Sequence, residues 1–446
     1  MRLPAADKES RPESAADCSP LRSIYSAWWP LAASWLMMGL ELPAVGAVMA
    51  RLPDPSIHLA AYGGVVFPLS LVIEAPIIML LAASTALSKD LESYVRLRRF
   101  MVQSALALGL LHALVALTPL YEIVVDAVLG IPVEIQGPAR TGMILMIPWT
   151  PMIAYRRFQQ GILIRFGRSR AVGIGTALRL GTNALVLATG YHVGGISGIA
   201  VGTAAVSAGV IAEAIYAGIA VRPILRGPLR DAPPVAVPLT TGRLLRFYVP
   251  LAITPLFVML GHPIVSAAVS RMPRAIDSLA VWPVLNGLVF TLRSLGFAFN
   301  EVVVVKLDDP ECRSSLRRFA LLLGGAVTFG LLLVTVTPLS GVWFARVSAL
   351  APELSRLAGR GLWIALLMPA FSVVQSYFQG HLVHVHRTRE VTEAVVLYLG
   401  LTALILAVGV GYGKATGLFF GLAAILAGNG AQAAWLWYRS RSVRES

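Results

Sequence analysis

Apolar residues along this chain fall into runs of about 20 or more, the length that carries an α-helix across a bilayer. Polar breaks and Pro/Gly-containing turns separate the runs. Windows of about 19 residues predict twelve spans, near 24–50, 60–88, 100–121, 141–164, 171–190, 196–221, 244–270, 278–305, 319–344, 361–385, 390–412 and 415–438. The longer runs exceed a bilayer and must tilt, kink or project from it. The first 22 residues are polar, and the run after them is too long for a signal h-region, so it is expected to stay as a span. The pattern predicts an all-α integral membrane protein.

Composition agrees. The 446 residues are 57% hydrophobic and 13% charged, with mean hydropathy +0.73, whereas a soluble chain carries about a quarter charged residues. The net charge of +14 would suit nucleic acid, but most of its 37 Lys and Arg lie in the tails and beside the loops after even-numbered spans. Lys89, Arg96, Arg98, Arg99, Arg165, Arg168, Arg170, Arg317 and Arg318 are among them. By the positive-inside rule both termini are cytoplasmic, in a cell inner (plasma) membrane, and no nucleic-acid partner is needed. Cys18 and Cys312 fall in polar segments of that side, so neither a disulfide nor a metal site is expected.

The chain repeats itself. Residues 30–60 align with 250–280 at an offset of 220, with 12 of 31 positions identical, among them Pro43/Pro263, Arg51/Arg271 and Pro53/Pro273. At offset 219, Gln160-Gly161 matches Gln379-Gly380, Arg168 and Arg170 match Arg387 and Arg389, and Leu180-Gly181 matches Leu399-Gly400. Gly198 and Gly202 match Gly417 and Gly421 at the same offset. The organisation is therefore an N-tail (1–23), a six-helix lobe (24–225), a Pro- and Gly-rich linker (226–243), a second six-helix lobe (244–438) and a basic tail (439–446). Six spans is an even number, so the halves are parallel repeats, forming two lobes around a central cavity as in transporters. Duplicated channels and membrane enzymes share that property. No G-x-x-x-x-G-K-[ST] loop occurs ("GYGKATG" lacks the first glycine), so gradients must drive any transport.

A charge near a helix centre costs roughly 2.5–3.5 kcal/mol on insertion scales, so each one is a functional candidate. Glu41, Glu74, Arg179 and Arg293 are near-central, Glu213 lies toward the cytoplasm, His262 toward the outside, and Glu301 ends span 8. The repeat duplicates the framework but not these charges: Glu41 aligns with Gly261, Leu42 with His262, Ile73 with Arg293, Glu74 with Ser294, Arg179 with Tyr398 and Glu213 with Gln432. In "IEAPI", Pro76 cannot donate to the Val72 carbonyl, which leaves an acceptor near Glu74. Glu74 then either pairs with Arg179, binds a proton or cation, or touches substrate. Arg293 either binds an anionic ligand through its planar fork or bridges the lobes to Glu41 or Glu74. Asn286, Asn300, Gln375 and Gln379 are candidate neutral donors to a polar ligand or helix–helix bonds, and His112 is expected to be a helix–helix bond only. His381, His384 and His386 have no Cys or carboxylate beside them and are expected to be interface residues, not metal ligands. No catalytic cluster converges at one membrane face, so no enzyme is expected.

The stretches "VPLAI…HPIVSAAVSR" (249–271), "EAPIIMLLAASTALSKD" (74–90) and "GISGIAVGTAAVSAGVIAE" (195–213) resemble the progressive ankylosis protein family. That family belongs to the multidrug-and-toxin extrusion and polysaccharide/lipid flippase superfamily. The resemblance implies export of small polyanions such as pyrophosphate, nucleotide or citrate. Two departures are His262, where the family's pattern suggests a stronger base, and the missing acidic C-tail.

Together these readings predict a secondary active or facilitative exporter, working as a monomer by alternating access on small organic or phosphate-containing anions. Arg293, Arg179, His262, Asn286 and Gln375 would bind substrate. Glu41, Glu74, Glu213 and Glu301 would couple or gate, with H+ or Na+ and no other cofactor. Pro43, Pro76 and Pro263 would supply bends. The alternatives are a cation- or proton-coupled multidrug efflux pump and a lipid-linked oligosaccharide flippase.

Overall fold

The computed structural model describes residues 20–307, 309–385 and 387–444; Cys18 and His386 lie outside them. The protein is twelve membrane helices in two lobes. They are α1 (Pro20–Gly39 and Glu41–Met49), α2 (Pro55–Leu87), α3 (Leu91–Leu117), α4 (Val133–Leu145 and Trp149–Arg165), α5 (Ser169–Val193) and α6 (Gly198–Arg226). The second half holds α7 (Thr241–Ser270), α8 (Ala275–Lys306), α9 (Pro310–Val336), α10 (Pro352–Ala365 and Met368–His384), α11 (Thr388–Tyr412) and α12 (Gly417–Arg444). Among the described residues eleven helices are long and apolar enough to cross a membrane. The twelfth, α4, falls short because it carries Arg140, Arg156, Arg157, Gln159 and Gln160. Leu106, Leu110, Leu114 and Leu117 of α3, exposed at helical spacing, make a face suited to lipid.

Duplication is visible at the level of single atoms. Asp54 (φ 50°) and Arg274 (φ 58°) both adopt the left-handed conformation between the first two helices of their repeats. A β-carbon added to Gly198 would lie 3.1 Å from the Met49 carbonyl oxygen, and one added to Gly417 would lie 3.1 Å from the Val269 carbonyl oxygen. Short π-helices, Ile123–Val128 and Val342–Val347, follow α3 and α9.

One residue separates the two offsets, and α2 contains it. Before position 61 the repeats differ by 220, while from "LRRF" (97–100 and 316–319) onward they differ by 219. Between these lies the π-helix Tyr62–Val66, whose wider turn accommodates an extra residue; α8 is continuous α-helix there. The expected alignment of Glu74 with Ser294 is therefore corrected: past the π-turn, Glu74 corresponds to Arg293.

A β-carbon on Gly63 would meet the Pro283 ring at 2.6 Å. Gly63 and Pro283 are equivalents at offset 220, so their contact marks the pseudo-two-fold axis, where α2 crosses α8. The lobes also exchange arms. Trp28 of α1 donates Nε1–H to the Leu295 carbonyl at 3.0 Å and packs with Phe299 and Phe319 of the second half. In return Tyr248 of α7 donates its hydroxyl to the Pro76 carbonyl at 2.5 Å and packs edge-on against Phe100.

The proline devices differ in detail. α1 is interrupted at Leu40, and the Gly39 carbonyl that Pro43 cannot serve accepts the Thr291 hydroxyl at 3.3 Å. At Pro76 the helix tightens into a 3₁₀ turn, Ala75–Ile77, and the Val72 carbonyl accepts the Ala75 amide. The acceptor expected to be left open near Glu74 is thus taken. Helix α7 remains continuous through Pro250, Pro255 and Pro263.

Candidate functional site

Each lobe encloses its own polar cluster, and the two differ in charge. In the first lobe Glu213 is nearly inaccessible, at 1% side-chain exposure. It accepts Arg156 Nη1 at 2.5 Å, Gln160 Nε2 at 2.9 Å and the Thr176 hydroxyl at 3.4 Å, with Arg179 Nε at 3.4 Å. Arg179 reaches on to Glu41, with Nη1 to Oε2 at 2.9 Å, and Asn183 Nδ2 holds the other Glu41 oxygen at 2.6 Å. Four helices (α1, α4, α5 and α6) thereby share one chain, Arg156–Glu213–Arg179–Glu41. In a low dielectric such a chain stands only because nearly every charge has an opposite neighbour.

The pairing of Arg179 with Glu74, one of the expected alternatives, is not formed; Glu41 and Glu213 take that arginine. Glu74 is buried, and its Oε2 has no hydrogen-bond partner among the described residues. Arg157, Arg156 and Arg179 lie within electrostatic reach of it. Arg157 itself makes no ion pair, and its buried Nε is unpartnered.

In the second lobe Arg293 donates Nε–H to the Ser372 hydroxyl at 2.8 Å and Nη2 to the Asn429 Oδ1 at 3.4 Å. Gln375 Nε2 completes the set, bonding the Asn429 carbonyl at 3.0 Å and Oδ1 at 3.1 Å. The guanidinium stands 5.4 Å over the Phe297 ring, which packs on Trp35 of α1 across the seam between the lobes. His262 and Tyr398 lie within electrostatic reach of Arg293. No carboxylate comes within ion-pair distance of it among the described residues, so the expected interlobe bridge to Glu41 or Glu74 is absent. Asn286 is half-buried two turns along the same face of α8, about 10 Å away. Glu301 is exposed and joins neither cluster.

Several participants were not expected. Arg156 and Arg157 fall inside span 4 (141–164), yet they are not among the expected site residues. The signal was available: "RRFQQ" interrupts span 4 well short of its end, and Gln375, equivalent to Arg156 at offset 219, is itself in the second cluster. Asn183, Ser372 and Asn429 carry no mark in the sequence beyond being polar within a span. His112 is a helix–helix link, with Nδ1 3.0 Å from the Thr150 hydroxyl and Nε2 3.1 Å from the Met143 carbonyl. His381 and His384 face the backbone carbonyls of Tyr377 and Val304. No cluster of three metal-ligand side chains occurs among the described residues.

No protein-family model and no curated protein matches the chain. Solved structures do. An inward-facing MATE-family multidrug resistance transporter of the MOP superfamily superposes with TM-score 0.70 at 14% identity, covering 94% of this chain and 99% of that one. The lipid II flippase MurJ in an inward closed conformation gives TM-score 0.70 at 14% identity, over 92% of this chain and 87% of that one. A MOP superfamily transporter from Pyrococcus furiosus, described as having a binding pocket of reverse polarity, gives 0.61 at 16% identity over 95% and 96%. The fold is the MATE fold. These neighbours are transporters and a flippase; at this identity the likeness shows the fold. An outward-facing MATE structure superposes with TM-score 0.64, lower than the inward-facing one. Gln375 of the second cluster is the equivalent of Arg156 in the first, and Arg293 is the equivalent of Glu74.

Proposed function

We propose that this protein is a secondary active or facilitative exporter of small organic or phosphate-containing anions, alternating its central site between the two membrane faces. The observation that supports this is Arg293: a half-buried guanidinium at the interlobe seam, held by neutral oxygens and an aromatic face, with no carboxylate to neutralise it. A guanidinium so placed retains donors for a carboxylate or phosphate oxygen, and an anion entering beside it removes the cost of an uncompensated charge. Tyr398, Gln375 and Asn429 would add neutral hydrogen bonds. The motif resemblance to the progressive ankylosis family supports the same class. In this reading the termini are cytoplasmic and the protein acts as a monomer in the plasma membrane.

A second reading, proton- or sodium-coupled efflux of cations, is supported by Glu74, a buried carboxylate with an unpartnered oxygen. Vesicles reconstituted with the protein and loaded with labelled citrate, ATP or pyrophosphate, beside a cationic dye, separate the two. Anion efflux that Arg293→Ala abolishes, at unchanged protein yield, is the expected result. Undiminished anion efflux in that variant, or dye efflux alone, overturns it.

A further inference from the structure

On the face opposite the termini, two arginines that the repeat duplicates bond across the seam between the lobes. Arg51 ends α1 and Arg271 ends α7, equivalents at offset 220. Each crosses to the other lobe. Arg51 donates Nη1 to its own Ala47 carbonyl at 2.6 Å and to the Val347 carbonyl at 2.8 Å, and Nη2 to the Arg346 carbonyl at 2.5 Å. Arg271 donates Nη1 to its own Ala267 carbonyl at 2.7 Å and to Leu129 at 2.8 Å, and Nη2 to Val128 at 2.9 Å and Ala127 at 3.4 Å.

The acceptors are also duplicated, and their availability has a physical cause. They sit at the carboxyl ends of the π-helices Ile123–Val128 and Val342–Val347. After the first of these, the amides of Leu129, Ile131 and Gly130 reach back to the carbonyls of Val124, Val125 and Asp126. The next three carbonyls, Ala127, Val128 and Leu129, are left without a backbone donor, as at any helix end, and Arg271 takes all three. After the second, Ser348 and Leu350 reach back to Trp343 and Phe344, and Arg51 takes Arg346 and Val347. A left-handed residue closes each turn, Gly130 at φ 64° and Ala349 at φ 50°. Arg271 packs so closely there that a β-carbon on Gly130 would stand 2.8 Å from its Cζ. The end of a helical segment carries partial negative charge, which favours a cation at that spot.

We infer that Arg51 and Arg271 are a paired latch of the gate on the face opposite the termini, each pinning one lobe to a π-helix end of the other, and that both must release before that face opens. The inference rests on the alternating-access reading above. Both arginines are exposed, so water can replace each carbonyl as the lobes part, which makes the latch reversible.

Glu134 and Glu353, exposed equivalents at offset 219 near the same face, give a symmetric pair of probe sites. The protein with both native cysteines changed to serine, carrying E134C and E353C with nitroxide labels, is reconstituted in sealed lipid vesicles and its interlobe distance distribution read by pulsed EPR. R51A and R271A are each expected to raise the ratio of long to short distances roughly tenfold, the worth of the charged hydrogen bonds lost, and the double variant close to the product of the two. If the double variant does not purify as a monodisperse protein, R51K and R271K serve, because an ammonium cannot span neighbouring carbonyls as the fork does, and a smaller shift of the same sign is expected. Variants that lower thermal stability while leaving the distances of their parent unchanged overturn the latch. A parent that never populates the long distance under any imposed gradient speaks against alternating access instead, and the variants still decide the latch.

Discussion

Glu74 and Arg293 occupy the same position in the two repeats, an acid in one lobe and a base in the other, related by the axis that runs between Gly63 and Pro283. Neither has an opposite charge within ion-pair distance among the described residues, although three arginines lie within electrostatic reach of Glu74. The lobes thus share one scaffold and carry an acid and a base at equivalent places. Under the proposed function Arg293 would hold the anion and Glu74 the coupling ion.

Arg293→Gln is expected to lower anion efflux at least tenfold and Arg293→Lys to retain part of it, because the ammonium keeps the charge and loses the fork. Initial efflux rates from reconstituted vesicles measure both. Equal loss in the two variants would show that geometry, not charge, is what the site requires.

Glu74→Gln keeps the shape and removes the ionisable carboxyl. It is expected to leave anion exchange between equal pools intact while abolishing acceleration by an imposed pH or sodium gradient. A variant whose rate still follows the gradient would remove Glu74 from the coupling role.

Glu213→Ala strands Arg156 and leaves Arg179 with only one carboxylate. Loss of one member of a buried ionic network costs about 3–5 kcal/mol, so a large fall in thermal unfolding temperature is expected in detergent. Combining it with Arg156→Ala should cost less than the sum of the single changes, since the second change removes the stranded charge. Additive losses would mean that the two do not act as one network.

Gly209 and Gly428 are equivalents at offset 219, and a β-carbon on either would collide with its neighbours, the Asn183 amide and Arg179 carbonyl in one lobe, the Thr402 hydroxyl and Tyr398 in the other. Alanine at each position is expected to destabilise by about 1–3 kcal/mol. Alanine at Gly181 or Gly400, where nothing lies within 4 Å, should be neutral or stabilising through helix propensity. Thermal unfolding of the four variants tests the contrast.

Asp90 caps α3 through the Ser93 amide at 2.9 Å and anchors the interlobe linker through the Val235 amide at 3.0 Å. Burial works against its charged form, but the hydrogen bonds from Ser93 and Val235 outweigh burial and hold the carboxyl below its ordinary value. A lowered carboxylate contributes stability that is present above the unfolded value, near 3.9, and is lost as pH falls through the folded one. Asp90→Ala should therefore cost about 1–2 kcal/mol at neutral pH and progressively less below about pH 4. A constant difference between variant and parent across that range would show that the charge is not what holds the cap.

Much of this was legible along the chain. Apolar runs announce the spans because lipid leaves no other way to satisfy a crossing backbone. The matched Pro, Arg and Gly announce the repeat because both halves solve the same packing problem; Gly198 and Gly417 face equivalent carbonyls. The charged residues of the spans announce themselves because each is expensive. Which partner each charge takes was not legible: Arg179 could have met Glu74, and met Glu41 and Glu213. Arg156 and Arg157 lie inside the predicted span 4, but nothing along the chain says that Arg156 turns inward to Glu213 rather than outward to headgroups.

The sequence by itself determined the helical membrane class, the duplication and the short list of residues whose burial demands a reason. Those properties are local or periodic, and a linear string records them. Only the tertiary structure decided that a π-turn in α2 brings Glu74 into register with Arg293, that α1 and α7 lean on the opposite lobes, and that Arg51 and Arg271 cap helix ends across the seam. Each of these depends on which carbonyls are left without donors and which side chains can reach them, and that is set by distances between residues far apart in the chain.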